Sequence, residues 1–182
     1  MIGIVVAAVV IAVLLWAVAI YLGLNRRKSL VAEAWSDVEA QLGRRAGLIP
    51  DLIASVKGHA AQERETFDEL ARLRGQGAAD PGRRGEREAA IAANIGRVMA
   101  AAETCAELKA SAAFRALESA LARAEDEIHR ARRHYNAAVR DFNGMIEHFP
   151  SNIVANAGGF EPAAYFQSED PGGRAARKVA FA

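Results

Sequence analysis

The sequence predicts an all-α protein, an N-terminal transmembrane helix followed by an antiparallel up-and-down helical bundle of three long helices and a short C-terminal one. Three observations carry this reading. The first 25 residues hold no charged side chain, and every Lys, Arg, Asp and Glu of the 182-residue chain lies beyond them. Past that point apolar residues recur at 3–4 spacing, with no alternating, strand-like run. Aromatics are only 7%, and a single cysteine leaves no disulfide framework and no CxxC metal or redox motif. The averages of 52% apolar, 25% charged and net charge +1 describe a soluble globule and conceal this asymmetry. They show no basic excess, so nucleic acid is not an expected partner.

The first element is residues 2–24, broken only by Gly3 and Gly23. As a helix it measures about 35 Å, enough to cross a hydrocarbon core of ~30 Å with some tilt. Tyr21 is placed for the interface, and Arg26, Arg27 and Lys28 follow at once. A cleaved signal peptide is the rival, because Ala17-Val18-Ala19 offers a cleavage-like site. The run lacks a positive n-region and continues past that site into Ile20, Tyr21 and Leu22, which favours a retained anchor. The positive flank places the N-terminus outside and the body in the cytoplasm. The expected division is an anchor over 1–25, a cytoplasmic helical bundle over 26–159 and an irregular tail over 160–182.

The first bundle helix is expected over 29–74, with a stripe through Val31, Trp35, Val38, Leu42, Ile49, Leu52, Val56, Phe67 and Leu70. Pro50 removes one ladder bond and clashes with the carbonyl of Ala46, so a kink is expected near 46–50. A true break there is the alternative. Residues 75–85, rich in Gly, form the clearest linker. The second helix runs from about Glu86 to Lys109 on Ile91, Ile95, Val98, Ala102, Cys105 and Leu108. At about 36 Å it cannot return along the whole ~69 Å of 29–74. Either the bundle sits outward on a stalk or the chain folds sharply at Pro50.

Ser111 is the expected N-cap of the third helix. Its stripe is the cleanest: Phe114, Leu121, Ile128, Tyr135, Phe142 and Phe149 stand seven apart. Leu117, Ala124, Ala131, Ala138 and Met145 fill the intermediate positions of a five-heptad register. Pro150 ends it, and Ser151 is read as capping a short helix to Ala157 before Gly158-Gly159. Residues 160–182 have no period and either lie on the bundle or fray.

Chemistry-bearing patterns are sparse. A di-iron bundle needs two Glu-x-x-His motifs, and only Asp126-Glu127-Ile128-His129 comes near. His59 and Glu63 stand four apart and read as a helix-surface pair. Cys105 on an apolar stripe reads as a buried, inert thiol. No nucleophile elbow, phosphate loop, dinucleotide fingerprint or zinc-protease motif occurs. No catalytic, cofactor or metal residue is therefore expected. Arg45 and Glu63 fall where the first heptad expects apolar residues, and Asn136, Asp141 and Asn143 flank the third stripe. They are read as an inter-helix polar network that fixes register.

Several runs resemble the LemA family. They are Glu33-Ala34-Trp35-Ser36-Asp37-Val38, Arg44-Arg45, Leu48-Ile49-Pro50-Asp51-Leu52-Ile53 and Val56-Lys57-Gly58-His59-Ala60 with Glu63. In the third helix the match continues through Arg132-Arg133, Tyr135-Asn136, Ala138-Val139-Arg140-Asp141, Asn143 and Phe149-Pro150. Gly159-Phe160, Pro162, Tyr165-Phe166 and the ending Lys178-Val179-Ala180-Phe181 extend it. Thr104-Cys105 stands where the family often carries an aromatic and a proline. The resemblance implies a bacterial single-pass inner-membrane protein with a cytoplasmic helical bundle and no established enzymatic activity or cofactor. A magnetosome-membrane protein falls in the same family, which implies membrane organisation as one use.

The function expected from residues and resemblance together is a non-catalytic membrane-anchored scaffold or adaptor. Its partners are the lipid bilayer through residues 2–24, proteins, and a second copy in a homo-oligomer. Arg44, Arg45, Lys57 and Glu63 on the first helix, with Phe160, Tyr165 and Phe166 in the tail, are the candidate interaction surface. The tail aromatics docked on their own bundle are the alternative. A metal-dependent hydrolase and a signalling helix acting through Pro50 are the competing functions.

Overall fold

A computed structural model describes residues 1–57, 64–75 and 81–166. Among them there are six helices and no strand: α1 (Ile2–Val56), α2 (Arg64–Gly75), α3 (Pro81–Glu103), α4 (Ala106–Ala110), α5 (Ala112–Glu147) and α6 (Ser151–Ala157). The apolar helix over 2–24 and the helix expected from 29 are one element, because nothing between Asn25 and Val31 disfavours helix.

Pro50 lies inside α1 and does not end it. It is exposed, while Ile49 and Leu52 beside it are buried. The carbonyl it orphans therefore falls on the water side, where solvent can satisfy it. The helix expected over 29–74 divides instead after Val56, and α2 is separate. This removes the length mismatch with the following helix. The linker expected over 75–85 is shorter than its glycines imply: Gly75 still belongs to α2, and Pro81 to Gly85 form the first turn of α3. Proline at a first helical position costs no hydrogen bond.

The second helix expected to Lys109 stops at Glu103. Thr104 turns its hydroxyl onto the Ala101 carbonyl at 2.7 Å, and the Thr104 and Cys105 amides make i→i+3 bonds to Ala101 and Ala102. That tight turn competes with further helix. Ser111 caps α5 as expected, its Oγ accepting from the Phe114 amide at 3.4 Å. Ser151, by contrast, is the first residue of α6 and not its cap. Its hydroxyl donates to the His148 carbonyl at 3.0 Å, and the preceding Pro150 offers no side-chain cap.

The chain packs as two units. One comprises Met1–Asp37 and Arg133–Ala164, and the other Val38–Arg132 with Tyr165 and Phe166. The second has its own core. Ile49, Leu52 and Val56 of α1 meet Phe67, Leu70 and Leu73 of α2, the Ile91–Ala102 stripe of α3, Leu108 of α4, and Phe114 and Leu121 of α5. Burial of these apolar faces at about 25 cal/mol per Å2 is the main stabilising contribution.

In the first unit α1 and α5 meet through a descending series. Trp35 packs on Tyr135 with ring centroids 5.2 Å apart, Arg27 lies 3.7 Å from Asp141, and Gly23 faces Met145. Leu24 is fully buried among Phe142, Ile146 and Ala155. The α5 stripe is buried at Tyr135, Val139, Phe142 and Ile146, a 3.6-residue period. Phe149, expected as its last core position, is 79% exposed. The helix ends at Glu147, so the heptad phase no longer applies.

Candidate functional site

The most concentrated polar chemistry lies within the second unit, at Arg45. This side chain is 2% exposed. It sits at an apolar register position of α1 because α3 and α5 each bring a carboxylate to it. Its Nη2 donates to Glu88 Oε2 at 2.6 Å and to the Glu88 backbone carbonyl at 3.2 Å, and Nη1 donates to Glu125 Oε2 at 2.7 Å. A buried guanidinium is tolerated only when paired and hydrogen-bonded in this way.

The network continues outward. Arg87 Nη2 donates to Glu88 Oε1 at 3.3 Å, Arg84 Nη1 to Glu39 Oε1 at 3.3 Å, and His129 Nε2 lies 3.5 Å from Glu125. Beside it is a cavity of about 130 Å3 lined by Leu42, Leu73, Ile91, Arg45, Arg84 and Glu88, among others. The described lining carries no hydroxyl, thiol or imidazole. Its carboxylate is held by guanidinium groups, an arrangement that locks three helices together. Among the described residues no group of three His, Cys, Asp or Glu could hold a metal. Cys105 is a free thiol, half-buried where α3 gives way to α4, and not fully inside the core.

The first unit holds a different arrangement, around the chain after α6. Gly159 adopts φ +66°, and the Phe160 amide donates to the Ala155 carbonyl at 3.0 Å while Gly159 reaches Asn156. This is a Schellman cap, which needs a glycine in the left-handed region. It turns Phe160 back onto Tyr21 and Phe142, with ring centroids at 5.5 and 6.4 Å. Lys28 Nζ lies 5.9 Å above the same ring.

Beyond it Asn143 clasps Ala163 twice, donating to its carbonyl at 2.9 Å and accepting from its amide at 2.8 Å. Tyr135 donates its hydroxyl to the Ala164 carbonyl at 2.7 Å. Burial pushes the Tyr135 phenol up from its ordinary value. Asn143 thus ties the C-terminal segment to α5, where an inter-helix network was expected of it.

The candidate surface residues separate. Arg44 is exposed on α1, Lys57 is exposed just past its end, and Tyr165 is exposed. Glu63 and His59 lie outside the described residues. Arg45 and Phe166 are buried and Phe160 is packed on Tyr21 and Phe142, so these three do not form an open surface in this conformation. The residues passed over in sequence are Glu88 and Glu125. Glu88 lies three residues before Ile91, on the extended stripe of α3, and Glu125 adjoins the stripe position Ala124. A charge on one stripe calls for opposite charges on its neighbours.

The LemA family model matches residues 34–181. The chain belongs to the LemA family. The match begins past the apolar segment and takes in the Trp35–Tyr135 contact, the Arg45 network and the Asn143 clasp. The LemA chain is also similar to magnetosome protein MamQ 2 and magnetosome protein MamQ 1 of Paramagnetospirillum magneticum strain AMB-1. Each is 33% identical over 78 residues, 43% of this chain and 29% of the relative. The match thus spans less than a third of those relatives.

Proposed function

We propose that this LemA protein is a non-catalytic scaffold or adaptor, anchored by residues 2–24 in the inner membrane and carrying an antiparallel helical bundle in the cytoplasm. One observation carries the anchoring. An 18-residue window in α1 has mean hydropathy 3.0 and none of it is buried. A core helix of a soluble protein would be covered, and a bare apolar face of this size needs lipid. Arg26, Arg27 and Lys28 immediately after it favour the cytoplasm for the body. The descending contacts Trp35–Tyr135, Arg27–Asp141 and Gly23–Met145 support the antiparallel arrangement.

The adaptor role rests on what the polar groups do: buried Arg45, Glu88 and Asn143 are engaged in holding helices and tail together. Exposed Arg44 and Lys57 remain available to protein partners, and a homo-oligomer is one assembly they could serve. The similarity to magnetosome proteins fits a role in membrane organisation. Photo-crosslinking from positions 44 and 57 in native membranes, followed by affinity capture of the full chain, tests this. Reproducible crosslinked species of defined mass are expected. A strictly monomeric chain with no recurring partner would contradict the role.

A further inference from the structure

We propose that the turn between α5 and α6, with Phe149 and Ile153 as its apolar contacts, dips into the lipid interface beside the anchor and gives the protein a second membrane attachment. The inference rests on residues 2–24 spanning the bilayer and adds a surface to that reading.

Three observations within the first unit converge on it. The contacts between α1 and α5 descend, so α5 approaches the apolar segment as its numbering rises: Tyr135 meets Trp35, Asp141 meets Arg27 and Met145 faces Gly23. Met145 is already level with the charge-free run. Phe149 follows two residues past the end of α5 at Glu147, in the turn that leads into α6. An interfacial element buries its apolar face about 5–10 Å into the boundary of headgroups and acyl chains.

The second observation is exposure. Phe149 and Ile153 are 79% and 61% exposed, and Ala157, four residues past Ile153 on the same face of α6, is exposed too. The opposite side of α6 is engaged, with Ala155 buried and Val154 packed on the cluster around Leu24. Single exposed apolar residues are ordinary on a protein surface. These fall on α6 and on the turn just before it, and α6 packs against Leu24 at the end of the anchor.

The third is charge. From His148 to Phe160 there is no Lys, Arg, Asp or Glu, although a quarter of the whole chain is charged. Ser151, Asn152 and Asn156 supply neutral polar groups of the kind that an interface accepts. Arg26 and Lys28, exposed just past the anchor, are placed to meet lipid phosphates.

The test is depth measurement by spin labelling of the full chain in vesicles of phosphatidylcholine and phosphatidylglycerol. In a Cys105→Ser background, single cysteines carry a nitroxide at Leu14→Cys, Phe149→Cys, Ile153→Cys and Glu118→Cys. Collisions with oxygen, which partitions into lipid, are compared with those of a water-soluble nickel chelate. The Leu14 label is expected deep, and the labels at 149 and 153 intermediate, with an oxygen-to-nickel ratio several-fold above Glu118. A deep Leu14 label with 149 and 153 as aqueous as Glu118 overturns the second attachment and leaves the span intact. Labels at 149 and 153 shielded from both reagents, as a second copy of the chain would shield them, overturn it as well. An aqueous Leu14 label removes the span, and this inference with it.

Discussion

The two packing units bury polar atoms in different ways. In the second, α1, α3 and α5 meet around a guanidinium with two carboxylates. In the first, the polar atoms at the interface of α5 with the C-terminal segment are a neutral amide and a phenol, each bonded to backbone. The difference follows from what each must fix. Three helices that could slide by a turn are held in register by charges that tolerate no unpaired alternative. A single extended segment needs only its amide and carbonyl satisfied, and a side-chain amide does both at once. Residues 148–160, next to that segment and to the apolar end of α1, carry no charge at all.

The comparison breaks most readily at Arg45. Arg45→Ala leaves buried Glu88 with only its longer contacts to Arg87 and Arg84 and is expected to cost about 3 kcal/mol of unfolding free energy. Urea denaturation of the full chain in detergent micelles measures it. The double change Arg45→Met with Glu88→Leu removes the buried pair together, leaves Glu125 half-exposed to water, and is expected to recover most of that loss. A single variant as stable as the parent would show that the ion pair does not hold the helices.

Asn143→Ala comes next. It leaves both backbone groups of Ala163 without their partners and is expected to cost about 2 kcal/mol. Hydrogen exchange should then rise at Ala163 more than at Glu88 or Val98, because the lesion lies in the other unit. Equal loss of protection in both would sharpen the comparison by showing that they unfold together.

Tyr135→Phe has the smallest expected effect, about 1 kcal/mol for one hydroxyl bond. It also carries a pH signature. The folded phenol titrates above its unfolded value of 10.0. Its contribution is therefore complete below about pH 10 and is lost as pH climbs through the raised folded value. The variant should lack this alkaline loss, which denaturation midpoints across the alkaline range can detect.

Sequence reasoning reached the elements whose signal is local. The apolar helix over 2–24 is a run without charge, the α5 stripe repeats over many turns, and Ser111 is a cap by residue type. It failed where a neighbour decides. The helix read as continuous through Pro50 to residue 74 does pass Pro50, whose outward position lets it run on, but it ends at Val56. Pro81 reads as linker, yet first-turn geometry takes it into α3. Phe149 fits a heptad, but that phase ends with the helix at Glu147. The anomaly at Arg45 was visible, whereas Glu88 and Glu125 as its partners required knowing that three stripes converge. Nothing in the spacing of Asn143 and Ala163 marks them as a pair, because an irregular segment has no period.

In the proposed topology residues 2–24 cross the inner membrane with the helical body on the cytoplasmic side. Thiol accessibility tests it most directly, using Glu118→Cys in a Cys105→Ser background in intact bacterial cells. A membrane-impermeant maleimide is expected to leave position 118 unlabelled until the membrane is permeabilised, while the chain sediments with membranes after carbonate washing. Labelling in intact, outer-membrane-permeabilised cells, or release by the wash, would contradict the account.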